Sequence, residues 1–250
     1  MSDYNRGYTR PIAAPADMAV DAGLRAFMLG VYNKLALGLL LSAALAYVTS
    51  AIPAVRDLLY VVDPESGRFM GFTMMGMVLR FAPLAVILFG AFGMRNVTAR
   101  SAGIYYWTVV ALIGAGLGLW LLAFKEASVA MTFLITAASF GAVSLVGYTT
   151  KKDLTGFGNF LIMGLFGLII AGLANMFFHL PALNFIFNIL GVFIFAGLTA
   201  YDTQRLKLSY YQLGGNQAAM SVATNYGALS LYLNFINLFQ ILLSLTGSRR

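Results

Sequence analysis

Cysteine is absent from this chain, histidine occurs once, and acidic residues number nine among 250. Each shortage excludes a class of chemistry. Without cysteine there is no disulfide framework, thiolate metal site or cysteine nucleophile. One histidine, His179 in "FFHLP", cannot build a three- or four-ligand zinc centre. It reads as a loop residue between two apolar runs. No G-x-S-x-G elbow, H-E-x-x-H pair or phosphate loop occurs. Intramembrane aspartyl chemistry needs two carboxylates sharing a proton, and a single acid lies in an apolar run. The sequence therefore reads as non-enzymatic, with no cofactor and no metal held by the protein.

Charge of either sign is scarce too: 10% of residues are charged and 60% are hydrophobic. A soluble domain carries about 25% charged residues, and none of this size hides so much apolar surface. The expected class is an all-α integral membrane protein. A spanning helix needs about 20 mostly apolar residues. Seven runs qualify, at 30–52, 76–95, 104–124, 127–148, 157–178, 182–202 and 224–246. The segment 1–26 is polar and Pro/Ala-rich, without the apolar core of a cleavable signal. It reads as a flexible cytoplasmic tail ahead of a seven-helix membrane domain, 27–250. The longer connections, 53–75 and 203–223, carry the turn signals "DPESG" and "LGGNQ".

The net charge of +7 does not point to nucleic acid, because the basic residues lie singly or in pairs in the loops. They sort by side instead. With the tail inside, Arg6, Arg10, Arg25, Lys34, Arg95, Arg100, Lys151, Lys152, Arg205 and Lys207 are cytoplasmic. Arg56, Arg68, Lys125, Arg249 and Arg250 are outside. That bias favours a cytoplasmic N-terminus and an external C-terminus. Arg80 lies within the second run and is expected to snorkel to one surface.

Asp202, in "AYDTQRLK", is the acid that belongs to a span. Ionisable groups there are costly and mark function by default. At helical spacing it shares a stripe with Asn184, Asn188 and Thr199. The last run carries Ser230, Asn234, Asn237 and Ser244 on one face, and the fourth carries Thr132, Thr136 and Ser139. Such stripes should converge inside the bundle, either as interhelical hydrogen bonds or as a hydrated ion path. Gly114, Gly116 and Gly118, and Gly164, Gly167 and Gly172, are candidates for close helix contacts.

"AYDTQRLK" (200–207) followed by "ALSLYLNFINLFQILLSL" (228–245), with "KKDLTGFGNFL" and "FGMRN", resembles the signature of the Bax inhibitor family, also called the lifeguard family. The likeness runs from about residue 25 to the end and is strongest to bacterial members, including the branch that modulates the membrane protease FtsH. It implies a seven-transmembrane bundle with the last helix central. It also implies a pH-sensitive calcium leak whose sensor is a pair of aspartates. One maps to Asp202; the other maps to position 234, where this chain has Asn234. An arginine that pairs with the first maps to Arg95. The resemblance thus implies a cation (calcium) leak gated at the cytoplasmic end by Asp202 with Arg95. Asn234, Asn237, Asn188 and Thr199 would line the path. The alternative is a modulator of a membrane protease complex without channel activity. Expected partners are membrane lipid, calcium ion or such a protease, at the cell inner membrane.

Overall fold

The computed structural model describes residues 22–65, 67–93, 97–178 and 181–250, with backbone alone at 91–93, 176–178 and 181–182. The helices are α1 (Ala22–Ala51), α2 (Pro53–Leu59), α3 (Met74–Gly93), α4 (Ala99–Gly116), α5 (Gly118–Ala123), α6 (Glu126–Thr149), α7 (Thr155–Phe178), α8 (Pro181–Gln212) and α9 (Gln217–Thr246). A short antiparallel hairpin, β1 (Tyr60–Val62) with β2 (Phe69–Phe72), stands between α2 and α3. The all-α expectation holds apart from this hairpin. It turns through the "DPESG" segment, where Gly67 has φ 66°.

Among the described residues six helical segments are long and apolar enough to cross a membrane: Ala22–Ala51, Ala99–Ala123, Glu126–Thr149, Thr155–Asn175, Leu183–Gln212 and Gln217–Thr246. The second of the seven expected runs forms α3, whose apolar stretch Met74–Gly90 is shorter than the others. It carries Arg80 and Pro83 within the helix.

Three expected boundaries move. Residues 22–26, assigned to the tail, are helical, and Leu24 is fully buried; residues 1–21 lie outside the described chain. The 104–124 run is two helices, α4 and α5, with a one-residue hitch at Leu117, whose N–H reaches both Ile113 and Gly114 carbonyls. Most of the 203–223 connection is helix. "TQRLKLSYYQ" continues α8 to Gln212, and the turn is confined to 213–216. Gly214 (φ 57°) and Gly215 (φ 81°) supply its left-handed residues. The Asn216 side chain then accepts from the Ala219 N–H and caps α9.

α9 is the centre of the bundle. Of its most apolar window 56% is buried, against 11% for α7 and 22% for α6. It packs on α1, α4, α6 and α8, with Leu231, Tyr232 and Leu243 fully buried. Helix contact is close where glycine permits it. A Cβ at Gly114 would lie 2.6 Å from Ser42 Cα, and one at Gly147 would lie 2.2 Å from the Ala200 carbonyl oxygen. Gly118 and Gly164 also face neighbours, on Thr49 and Ile194, whereas Gly116, Gly167 and Gly172 face open space.

The bundle thus has two ends. The hairpin end holds the β1–β2 ribbon, the α5–α6 junction and the C-terminus, where Phe124 pairs with Arg249. The turn end holds the start of α1, the 150–154 loop and the Gly214–Gly215 turn.

Candidate functional site: a carboxylate held between the last two helices

Asp202 is 5% exposed and is the one buried acid among the described residues. Its helix carries it to the turn end of the bundle. There Gln204 donates to the Lys152 carbonyl and accepts from the Leu154 N–H, both at 2.8 Å. Lys207 donates to the Tyr148 carbonyl at 2.7 Å, placing a cation at the C-terminus of α6, where the helix dipole favours it. These contacts put Asp202 just inside the level of the 150–154 loop. In that loop Asp153 accepts from Thr155, which holds its exposed carboxyl below the ordinary value.

Three donors meet the Asp202 carboxylate. Ser230 donates to Oδ2 at 2.6 Å and Asn234 Nδ2 to the same oxygen at 2.8 Å, both from α9. Arg205, one turn along α8, reaches Oδ1 at 3.0 Å. The Arg205 side chain is half exposed and its guanidinium lies over the Tyr201 ring. Charge-assisted hydrogen bonds of this kind are shorter and stronger than neutral ones. They tie α8 to α9 at one level. Arg95, the expected counter-charge, lies outside the described residues, as does His179.

The other expected positions separate into two groups. Asn188 meets the α9 stripe: its Nδ2 donates to Ser244 Oγ at 3.1 Å near the hairpin end. Asn184 accepts from Asn175 at 2.9 Å. Thr199 and Asn237 instead bond within their own helices, Thr199 to the Phe195 carbonyl at 2.7 Å and Asn237 to the Leu233 carbonyl at 2.8 Å. On α6 the buried polar face is Thr132, Thr136 and Ser144; Ser139 is exposed. The reason is spacing: Thr132, Thr136, Phe140 and Ser144 repeat at four residues and follow the face that Gly147 presses onto α8.

Several polar residues join the site that the motifs did not single out. Tyr32, Ser144 and Thr203 form a hydroxyl cluster linking α1, α6 and α8, with Ser144 to Thr203 at 2.8 Å. Thr203 follows Asp202 directly in the chain. Ser42 and Tyr232 bond at 2.7 Å between α1 and α9. The signal for Arg205 was present, since an arginine three residues after an aspartate on a helix is a natural pair. The cluster of Tyr32 with Ser144 joins residues 112 apart, and nothing local marks it. Among the described residues no group of three or more His, Asp or Glu side chains gathers around one point.

Comparison with known proteins bears on this geometry. The profile of the family described as "Inhibitor of apoptosis-promoting Bax1" matches residues 24–250. A Caulobacter vibrioides protein is 61% identical over 251 residues, covering 100% of both chains. Rickettsia prowazekii RP147 is 37% identical over 250 residues, again covering 100% of each. The Escherichia coli inner membrane protein YbhL is 38% identical over 230 residues, 92% of this chain and 94% of its own.

Proposed function

The chain belongs to the Bax inhibitor family of membrane proteins, and from that premise we propose that it is a cation leak pathway of the cell inner membrane, with calcium as cargo and Asp202 as its charged element. The observation that carries the reading is the lone buried carboxylate, placed one loop-level inside the turn end and bonded across to the central helix. Similarity to YbhL, an inner membrane protein, supports the location. The bias of basic residues supports a cytoplasmic turn end.

In this reading the α8–α9 tie is the closed gate. With Asp202 ionised, Ser230 and Asn234 donate to one oxygen while Arg205 holds the other. Protonation removes the charge that makes these bonds strong, and the two helices are then free to part at the turn end. The family resemblance adds Arg95, which lies outside the described residues, as a second counter-charge for this carboxylate. Asn188, Thr199, Asn234 and Asn237 are the polar groups that a passing cation would meet.

One observation favours a second reading, a modulator of a membrane protease complex that conducts nothing. The Asp202 carboxylate is satisfied on both oxygens by protein donors, and calcium binds best where several anionic oxygens are free. The test is calcium flux in liposomes, across a pH series, for the parent protein and Asp202→Asn. The leak reading expects flux in the parent and a changed rate or pH profile in the variant. No flux at any pH, with co-purification of a protease from native membranes, decides for the modulator.

A further inference from the structure

Between α3, α4 and α9, toward the hairpin end, lies a cavity of about 420 Å³. Its walls are mostly aliphatic, with Leu84, Ile87, Leu112 and Ile236 among them; Arg80, Asn237 and Gln240 bring polar side chains, and Tyr60 and Trp120 one polar atom each. Arg80 is the sixth residue after the start of α3, about 9 Å along the helix axis. Its guanidinium stands 5.1 Å from the Phe72 ring, which also lines the cavity. Arg80 is exposed at the edge of the cavity, where its guanidinium lies over the Phe72 and Phe81 rings.

Among the described residues no carboxylate pairs with Arg80, and the ion pairs present use Arg56, Arg205 and Arg250 instead. Neither does any described group hydrogen-bond the Gln240 amide. A guanidinium in a membrane helix is costly unless an anion meets it.

We propose that this cavity binds one anionic phospholipid, its phosphate on Arg80 and its acyl chain along the aliphatic wall. Guanidinium geometry matches a phosphate in bidentate fashion. The Gln240 amide offers hydrogen bonds to the headgroup or ester oxygens beside it. The walls decide between a lipid and a soluble anion. A space of this size has room for several waters, each needing two to four polar partners. The few polar groups in the walls, of which the Tyr60 hydroxyl already donates to the Ala115 carbonyl, do not supply them, whereas an alkyl chain needs none. An anionic headgroup is favoured over a zwitterionic one because no carboxylate among the described residues pairs with Arg80, and a zwitterion's phosphate is already shared with its own ammonium.

Trp120 lines the same cavity, and the chain has two tryptophans, the other being Trp107. Trp120 also lines two other cavities, so in a Trp107→Phe background it is the Arg80-dependent part of its quenching that reports occupancy. The protein is reconstituted with phosphatidylglycerol or phosphatidylcholine carrying identical brominated chains. The expected result is stronger quenching by the glycerol lipid, with a relative binding constant of about fivefold, the size of one arginine's attraction to anionic lipid. Arg80→Met keeps the stem and removes the charge, and should bring the ratio to about one, while Arg80→Lys restores part of it. Equal quenching by the two lipids in the parent overturns the proposal without any variant. A preference that survives Arg80→Met overturns it as well. Loss of the preference on adding excess inorganic phosphate overturns the lipid assignment in favour of a soluble anion.

Discussion

Asn234 donates to Asp202 Oδ2 at 2.8 Å, across the interface between the central helix and its neighbour in sequence. The amide acts here as a hydrogen-bond donor and has no titratable group of its own. Asn234→Asp would set two carboxylates on one site. Both cannot ionise cheaply, so one proton is shared between them. The expected outcome is a new pH dependence of calcium flux, or of a conformational probe on α8, in the Asn234→Asp protein, with a flatter parent profile. Profiles that coincide would show that Asn234 is not what sets the pH response.

The donors to Asp202 should differ in worth. Arg205 is half exposed, so its pair is screened and should contribute less than about 1 kcal/mol. Asn234 donates from a buried position and Ser230 from a partly buried one. Removing one of them leaves a buried acceptor short of a partner, at about 1–3 kcal/mol. Thermal unfolding in detergent should therefore rank Asn234→Leu below Arg205→Gln in stability. A double-mutant cycle between Asp202→Asn and Ser230→Ala should be non-additive. Additivity there would mean that the 2.6 Å contact contributes nothing.

The site also depends on how closely α6 approaches α8. A Cβ at Gly147 would lie 2.2 Å from the Ala200 carbonyl oxygen, two residues before Asp202. That oxygen is a backbone atom and cannot rotate away. Gly147→Ala should force the helices apart and destabilise the protein by about 1–3 kcal/mol. Gly116→Ala is the control, since nothing lies within 4 Å of its added carbon. Melting temperatures that fall equally for both would remove the close approach as the cause.

Much of this architecture was legible because a bilayer imposes one rule on every span. Apolar length alone located the helices, and the sole acid in a run located the carboxylate. The centrality of α9 and the nearness of Asn234 to Asp202 followed from the family resemblance and stand in the structure. What escaped was of two kinds. Residues 203–212 look polar enough for a loop, but Arg205 pairs back onto Asp202 while Gln204 and Lys207 hold the α6–α7 connection, so the helix continues. The three hydroxyls at Thr132, Thr136 and Ser139 suggest one stripe, but the buried face runs through Phe140 to Gly147 and leaves Ser139 exposed. Long-range hydroxyl contacts such as Tyr32 with Ser144 have no local signature.

Orientation is the remaining premise of the gate, since it decides which compartment's pH reaches Asp202. Ten basic residues against five favour the turn end inside. The absence of cysteine makes the measurement direct. Single cysteines at Ser2 and Ser248 provide one label at each end of the chain. Ser248 lies by the α5–α6 junction, where its carbonyl accepts from the Lys125 N–H at 2.9 Å, so its label reads the hairpin end. With α3 crossing alongside the six longer segments, a membrane-impermeant maleimide should reach Ser248→Cys from outside intact cells and Ser2→Cys only after permeabilisation. Labelling of both from one side would mean that α3, with Arg80 and Pro83, does not cross. The count would then be six, and Asp202 would need its compartment assigned afresh from whichever end the label reached.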